Sequence, residues 1–302
     1  MNLKRNPISR SCKIRVGITI GDPSGIGPLI TRKAIKILKG LAEFVVIGDP
    51  PLKASQMGKI RAEYGKSSIK YLDVALGLLK NKEIDCLVTC PISKQAVKLA
   101  GFDFIGHTEY LARRSGVKDF AMMLLNQELK ICLATRHIPL SQVHLKLNKS
   151  DLEKTVSLTI SSLQKLFRIK TPRLVVCGLN PHASDNGLIG SEENEIIEPA
   201  LEKIRNKSGL KLKLEPADVA IYKAREKQYD AVIAIYHDQA LIPLKLTDRF
   251  SGVNLTLGLP YVRTSPLHGT AFDIAAANSA DPSSLIAAVK TAIECTLNLK
   301  KA

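Results

Sequence analysis

Ile14-Arg-Val-Gly-Ile-Thr-Ile-Gly-Asp-Pro-Ser-Gly-Ile-Gly27 is the stretch whose reading decides the fold class. Ile14 to Ile20 is a short apolar run, too short for a helix and bounded by turn residues, so it reads as a buried strand. Gly21, Asp22, Pro23, Ser24, Gly25 and Gly27 follow as a turn. Beyond them Ile26, Ile30, Ala34, Leu38 and Leu41 recur on one face of a helix. The spacing Gly-x-x-x-Gly-x-Gly is neither the dinucleotide fingerprint nor a P-loop. It reads first as a tight strand-to-helix turn, with a backbone-amide cradle as the alternative.

The same alternation continues outward. Phe44 to Ile47 reads as a second buried strand, Cys86 to Thr89 as a third, and Ser93 to Ala100 as a short helix. Phe120 to Leu125 and Leu129 to Ala134 flank an Asn126-Gln127-Glu128 turn and read as a hairpin. Ser150 with Glu153 has the form of a capping box for a helix reaching Phe167. Asp281-Pro282 opens a last helix through about Leu297. Strands alternating with helices imply an α/β class, with a largely parallel sheet and helices on both faces. The hairpin is the expected seam between two lobes: residues 119–260 in one, residues 1–118 plus 261–302 in the other, with a ligand cleft between them.

The 302 residues carry a formal charge of +16. That charge attracts polyanions or a small anionic substrate. The lysines are dispersed, however, and tryptophan is absent, which argues against a nucleic-acid surface built on stacked bases. No apolar run reaches the roughly 20 residues of a membrane span. The basic start (Lys4, Arg5, Arg10, Lys13, Arg15) lacks a secretory apolar region. Six cysteines at 12, 86, 90, 132, 177 and 295 fall mostly within apolar runs, as reduced thiols of a cytoplasmic protein would.

Three histidines stand just past strand-like runs: His137 after Leu129–Ala134, His182 after Arg173–Leu179, and His237 after Ala231–Tyr236. In open α/β sheets ligands gather outside the carboxyl ends of strands. Three imidazoles delivered there can hold one divalent metal with positions open for substrate. Each histidine taken alone also fits a structural role. Asp238 and Gln239, beside His237, can orient a metal ligand; Asp238 can equally cap a helix. Thr108, in Gly106-His-Thr-Glu109, reads as a helix start suited to an anion, or as a plain cap. Lys245, Asn254 and Arg263 are donors suited to carboxylate or phosphate.

Taken together, these segments resemble the 4-hydroxythreonine-4-phosphate dehydrogenase family of pyridoxal phosphate biosynthesis. The resemblance is carried by Gly21-Asp-Pro-Ser-Gly-Ile-Gly-Pro28, Gly106-His-Thr-Glu-Tyr-Leu111, His137-Ile-Pro-Leu140, Gly178-Leu-Asn-Pro-His-Ala183, Tyr236-His-Asp-Gln239, Asn254-Leu-Thr-Leu-Gly-Leu-Pro260 and Arg263-Thr-Ser-Pro-Leu-His-Gly-Thr-Ala271, in family order. It implies a two-lobed fold akin to isocitrate and isopropylmalate dehydrogenases, and a homodimer. It implies one zinc, cobalt or magnesium ion held by His137, His182 and His237, the last supplied by the partner subunit. It implies substrate contacts from His107, Thr108, Lys245, Asn254 and Arg263, and an NAD loop of His268, Gly269, Thr270, Ala271, Asp273 and Ile274. The implied reaction is NAD-linked oxidation at C3 of 4-phosphooxy-L-threonine, then decarboxylation to 3-amino-2-oxopropyl phosphate. A related enzyme acting on erythronate or threonate phosphate would keep the same residues. Asp218 and Asp238 are candidate general bases. The chain departs from the family pattern at Leu29, at Leu267, across Ala183–Gly187 and across Ala276–Ser279. The departures at 267 and 276–279 flank the cofactor loop.

Overall fold

A computed structural model describes residues 13–103, 106–248, 250–277 and 279–301. Cys12, the basic residues at 4, 5 and 10, and Asn278 lie outside the described residues. In chain order the strands and α-helices are β1 Arg15–Thr19, α1 Gly27–Ile37, β2 Glu43–Ile47, α2 Ala62–Lys80, β3 Cys86–Thr89, α3 Lys94–Leu99, α4 His107–Arg114, β4 Ala121–Leu125, β5 Lys130–Leu133, α5 Val143–Lys146, α6 Lys149–Leu166, β6 Leu174–Cys177, α7 Glu198–Ser208, β7 Leu212–Glu215, α8 Ala217–Arg225, β8 Ala231–Ala234, α9 His237–Thr247, β9 Val253–Leu257, β10 Val262–Pro266 and α10 Ser283–Lys300.

The ten strands among the described residues form one sheet, ordered β2-β1-β3-β10-β9-β4-β5-β8-β6-β7. The block β2-β1-β3-β10 is parallel throughout. So is β5-β8-β6-β7. Three successive antiparallel pairings, β10–β9, β9–β4 and β4–β5, join the blocks, which therefore run in opposite directions. The hairpin expected from Asn126-Gln127-Glu128 is the β4–β5 pairing. Asn126 Oδ1 accepts from the Glu128 and Leu129 amides and closes that turn.

The largest core cluster lies on one face of the sheet and packs it against α1, α6, α7 and α10. On the opposite face the cover is split. Ile47, Tyr71, Ala75, Leu87 and Leu111 form one cluster over the first block. Met122, Ile131, Leu133, Val175, Val232, Ala240 and Leu244 form another over the second. Strand side chains alternate between faces. Val253, Leu255, Leu257 and Val262 join the large cluster. The intervening Asn254, Thr256 and Arg263 therefore face the gap between the two smaller clusters, which is the floor of a cleft.

Several local expectations are corrected. β2 is the sheet's edge strand, and Val46 is 49% exposed, so the run is only partly buried. The long α6 starts two residues earlier than the Ser150 capping box would place it. Asn148 is still extended, and its side chain accepts from the Asp151 amide at 3.0 Å, while Glu153 turns to Lys203. α4 begins after Gly106 with no side-chain cap, so Thr108 is not a cap. Leu41 lies beyond α1 and is exposed. The last helix extends to Lys300, its entry held by Asp281 accepting from the Ser283 amide at 2.7 Å.

Candidate active site

Arg263 is the centre of the cleft floor. It is 1% exposed, and its guanidinium donates to Thr89 Oγ1 at 2.5 Å and Thr256 Oγ1 at 3.0 Å, with Thr108 Oγ1 at 3.5 Å. These partners come from β3, β9 and α4, so three elements converge on one side chain. Among the described residues no carboxylate lies within ion-pair distance of it. Burial pushes its pKa down to about 10, opposed by the charges of Tyr261 and Glu109. A buried cation held only by neutral hydroxyls is costly to fold, and it becomes well matched when an anion docks. Asn254, two residues before Thr256 on the same face of β9, has its Oδ1 buried and unpartnered. His107 lies in the same pocket. Burial, then the nearby Arg263 charge, hold its pKa well below the ordinary value against a hydrogen bond with the Cys90 backbone. Its imidazole is therefore neutral at pH 7 and serves as a hydrogen-bonding group rather than a charge.

The three strand-end histidines leave β5, β6 and β8, which are parallel neighbours, at one edge of the sheet. His137 and His237 stand together, with ring centroids 5.7 Å apart. Asp238 Oδ1 lies 2.6 Å from His237 Nδ1, a contact that suits the Nδ1–H tautomer and leaves the Nε2 lone pair to ligate a metal. The cap of α9 is Tyr236, so Asp238 orients the imidazole instead of capping. The His137 pKa is depressed, mainly by burial and then by the charges of Lys94 and His237, and this favours the neutral imidazole that a metal requires. His182 is not brought into one cluster with that pair: among the described residues no three metal-ligating side chains meet. His137 and His182 both have left-handed backbones, φ 40° and 56°, a region in which histidine is enriched among non-glycine residues, and in the His182 loop the run continues through Asn186. Backbone strain of this type collects at functional sites.

The two sets of residues are electrostatically linked. Lys94 acts on both His107 and His137, and Glu109 on both His137 and Arg263. The sequence reading missed Lys94, Glu109, Thr89 and Thr256. Thr256 carried a signal, a polar residue alternating with Asn254 inside an apolar strand; Lys94 carried none. Lys245 is exposed on the last turns of α9. Asp218 is exposed on the first turn of α8, where its charge acts on Cys177 at the carboxyl end of β6.

The segment 268–274 rests on the glycine turn. Ile26 N donates to Thr270 O at 3.0 Å, and a Cβ on Gly25 would come within 3.0 Å of that oxygen. Gly21 has φ 71° and Gly27 abuts Ile20 O, so these two make the turn while Gly25 admits the neighbouring loop. His268 Nδ1 contacts Gly269 O at 3.0 Å, and its Nε2 is buried without a partner. Ala271 is half-buried; Gly269, Asp273 and Ile274 are exposed. Beside this loop lies an apolar cavity of about 520 Å³ lined by Pro23, Pro28, Leu29, Met57, Ala275 and Ala276, among others.

The family of pyridoxal phosphate biosynthetic protein PdxA matches residues 28–292. The chain belongs to this family. A family member from Desulforapulum autotrophicum, named 4-hydroxythreonine-4-phosphate dehydrogenase, is 40% identical over 92% of this chain and 94% of its own length. A Salmonella typhi protein, provisionally named a D-threonate 4-phosphate dehydrogenase, is 36% identical over 92% of this chain and 98% of its own. The solved 4-hydroxythreonine-4-phosphate dehydrogenase of Klebsiella pneumoniae superposes with a TM-score of 0.80 at 32% identity, covering 94% of this chain and 99% of that one. Isocitrate dehydrogenase from Methylococcus capsulatus shares the fold at a TM-score of 0.51 and 12% identity, covering 95% of this chain and 87% of that one. Membership makes the chain an oxidoreductase of the PdxA type, and dehydrogenase chemistry calls for a nicotinamide cofactor. Among the described residues no helix is long and apolar enough to cross a membrane.

Proposed function

We propose that the protein oxidises 4-phosphooxy-L-threonine at C3 with NAD and releases 3-amino-2-oxopropyl phosphate after decarboxylation, a step of pyridoxine 5′-phosphate biosynthesis. The carrying observation is Arg263, a buried guanidinium whose hydrogen-bond partners among the described residues are hydroxyls, next to the neutral His107 and linked through Lys94 and Glu109 to the His137–His237 pair. Arg263, Asn254, His107, Thr108 and Lys245 hold the phosphate and carboxylate, which fixes C3 for transfer. His137, His182 and His237 suit a zinc, cobalt or magnesium ion, and the orientation of His237 by Asp238 supports that fit. When bound, the ion supplies Lewis-acid polarisation of the C3 hydroxyl. Residues 268–274 would hold the NAD, which would supply the hydride acceptor, and the adjoining apolar cavity would accommodate its adenine end. Exposed Asp273 suits a ribose 2′-hydroxyl and disfavours a 2′-phosphate. Asp238 and Asp218 remain the two base candidates: Asp238 contacts His237, and Asp218 opens α8 just past the carboxyl end of β7, beside the exit of β6 that leads to His182.

The two parallel blocks correspond to the two lobes, residues 1–118 plus 261–302 and residues 119–260. A second copy of the chain completes the assembly. Ile242 and Leu246 form an exposed apolar stripe on α9, 59% and 81% accessible, and Leu188 beyond His182 is 84% accessible. A homodimer would cover this surface and place the metal site at the interface, with one ligand supplied across it. The five described cysteines are buried free thiols, which suits a cytoplasmic setting. The test is NADH formation from NAD and 4-phosphooxy-L-threonine with added zinc, cobalt or magnesium, against a chelator control. The second reading is threonate or erythronate 4-phosphate as substrate; similarity to the Salmonella typhi protein favours the threonate compound, and turnover of either one without 4-phosphooxy-L-threonine would select this reading.

A further inference from the structure

We infer that Gln239 is a positioning residue that sets the separation between His137 and His182. The inference rests on the proposed three-histidine metal site. The strands that deliver these two histidines, β5 and β6, are not neighbours; β8 lies between them. Their spacing at the sheet edge must therefore pass through the end of β8, beyond the last residue paired in either ladder. On the β5 side the connection is made by Thr135, two residues before His137. Its amide and hydroxyl both donate to Ile235 O, at 3.0 and 2.6 Å. On the β6 side it is made by one side chain. Gln239 Oε1 accepts from Ile235 N at 2.8 Å, and Gln239 Nε2 donates to Gly178 O at 2.9 Å.

Ile235 is thus gripped through its carbonyl by the His137 loop and through its amide by Gln239, which in turn holds the exit of β6. From Gly178 the chain runs four residues to His182. Asn180, midway, is fixed by the fully buried Glu193, whose carboxylate accepts from its amide at 2.8 Å and its side chain at 2.9 Å. The relay Thr135–Ile235–Gln239–Gly178 therefore spans the strand between the two ligand loops. It acts within one chain whichever subunit supplies the third imidazole.

The probe is cobalt(II) alone, its affinity measured by chelator competition and its coordination by visible absorption. Wild type, Gln239→Glu, Gln239→Met and His182→Ala are compared at a temperature where circular dichroism shows each folded. Gln239→Glu keeps the acceptor for Ile235 N and loses only the donor to Gly178 O; Gln239→Met loses both and adds no charge. The expected result is cobalt binding weaker by about 10- to 100-fold in both Gln239 variants, the usual range for removing a group that orients metal ligands. The absorption should change with it, as the His137 and His182 loops shift relative to each other. A bridge that served only the fold would lower the unfolding temperature of the metal-free protein and leave the folded protein's cobalt affinity and spectrum unchanged. Gln239 variants within twofold of wild type, with His182→Ala impaired, would overturn the role of Gln239. Wild-type cobalt binding by His182→Ala would instead overturn the three-histidine reading, and this inference with it.

Discussion

Replacing Arg263 with Met should leave the ligand-free protein about as stable as before while removing substrate binding. Burial pulls the Arg263 pKa down to about 10. Against an ordinary guanidinium value this corresponds to roughly 3 kcal/mol by which folding disfavours the charged form. The side chain is charged in both folded and unfolded chains at any pH below about 10. The cost is therefore present in full at neutral pH and fades only as the pH climbs through that value toward the ordinary one. Methionine fills similar volume and removes the cost. It also strands the hydroxyls of Thr89 and Thr256, at about 1 kcal/mol each. The two effects nearly offset, so urea unfolding should place R263M within about 1–2 kcal/mol of wild type. Truncating a large buried residue that served only packing typically costs about 3–5 kcal/mol.

Function should respond in the opposite way. Removing one partner of a buried charge pair costs about 2–5 kcal/mol. That is a loss in kcat/KM of roughly 30-fold to several thousand-fold. The rise in unfolding temperature that the phosphorylated substrate gives wild type should disappear in R263M. A variant destabilised by more than about 3 kcal/mol that still binds substrate would refute the reasoning, because Arg263 would then be a structural post and the anion would sit elsewhere.

Three further outcomes are expected. His182→Ala should abolish turnover and retention of metal through dialysis while gel filtration shows the assembly unchanged. Leu246→Glu, at a site 81% exposed on α9, should shift sedimentation from dimer to monomer; an unchanged dimer would place the interface elsewhere. Asp85 governs part of the acid stability. Burial alone would raise its pKa, but hydrogen bonds from Arg15 and Lys300 outweigh this and hold it below the ordinary carboxylate value. Its contribution is therefore present above the ordinary carboxylate pKa and is lost as pH falls through the depressed one. Asp85→Asn should be less stable than wild type at neutral pH by about 1–3 kcal/mol, with the gap closing in acid unfolding curves.

What was legible from sequence follows from how local each signal is. The apolar runs at 14–20, 86–89 and 231–236 have no stable home outside a sheet, so the strands and the α/β class were readable. Burial of Phe44–Ile47 was not, because being the edge strand is a property of strand order, which no run of residues encodes. The Asn148 cap was missed because Ser150 and Glu153 have the right spacing for a capping box while backbone direction chooses the entry point. At the site, the positions of His137, His182 and His237 past strands were readable, and they do leave parallel neighbours. The pairing of His137 with His237, and the separateness of His182, depend on loop paths with left-handed residues that composition does not specify. Arg263 was visible as a donor. Its burial among hydroxyls depends on three distant strands and helices meeting.

The opposed direction of the two parallel blocks explains why the fold can hold these residues at all. In a sheet of one direction, the carboxyl ends gather along a single edge, with the ligand in the crevice outside it. Here the change of direction at β9 and β4 places the His-bearing ends of β5, β8 and β6 at the edge where β9 ends and β10 begins. Arg263 lies one residue into β10, beside that reversal. The antiparallel strands are also where the apolar cover on one face is interrupted, because α8 and α9 cover one block and α2 the other. Polar side chains on β9 and β10 thus meet a gap bordered by strand ends, without any long loop to carry them there. On the proposed reading, the cationic pocket holds the anion and the imidazoles hold the ion that binds the hydroxyl. The fold provides both by reversing its sheet once in the middle.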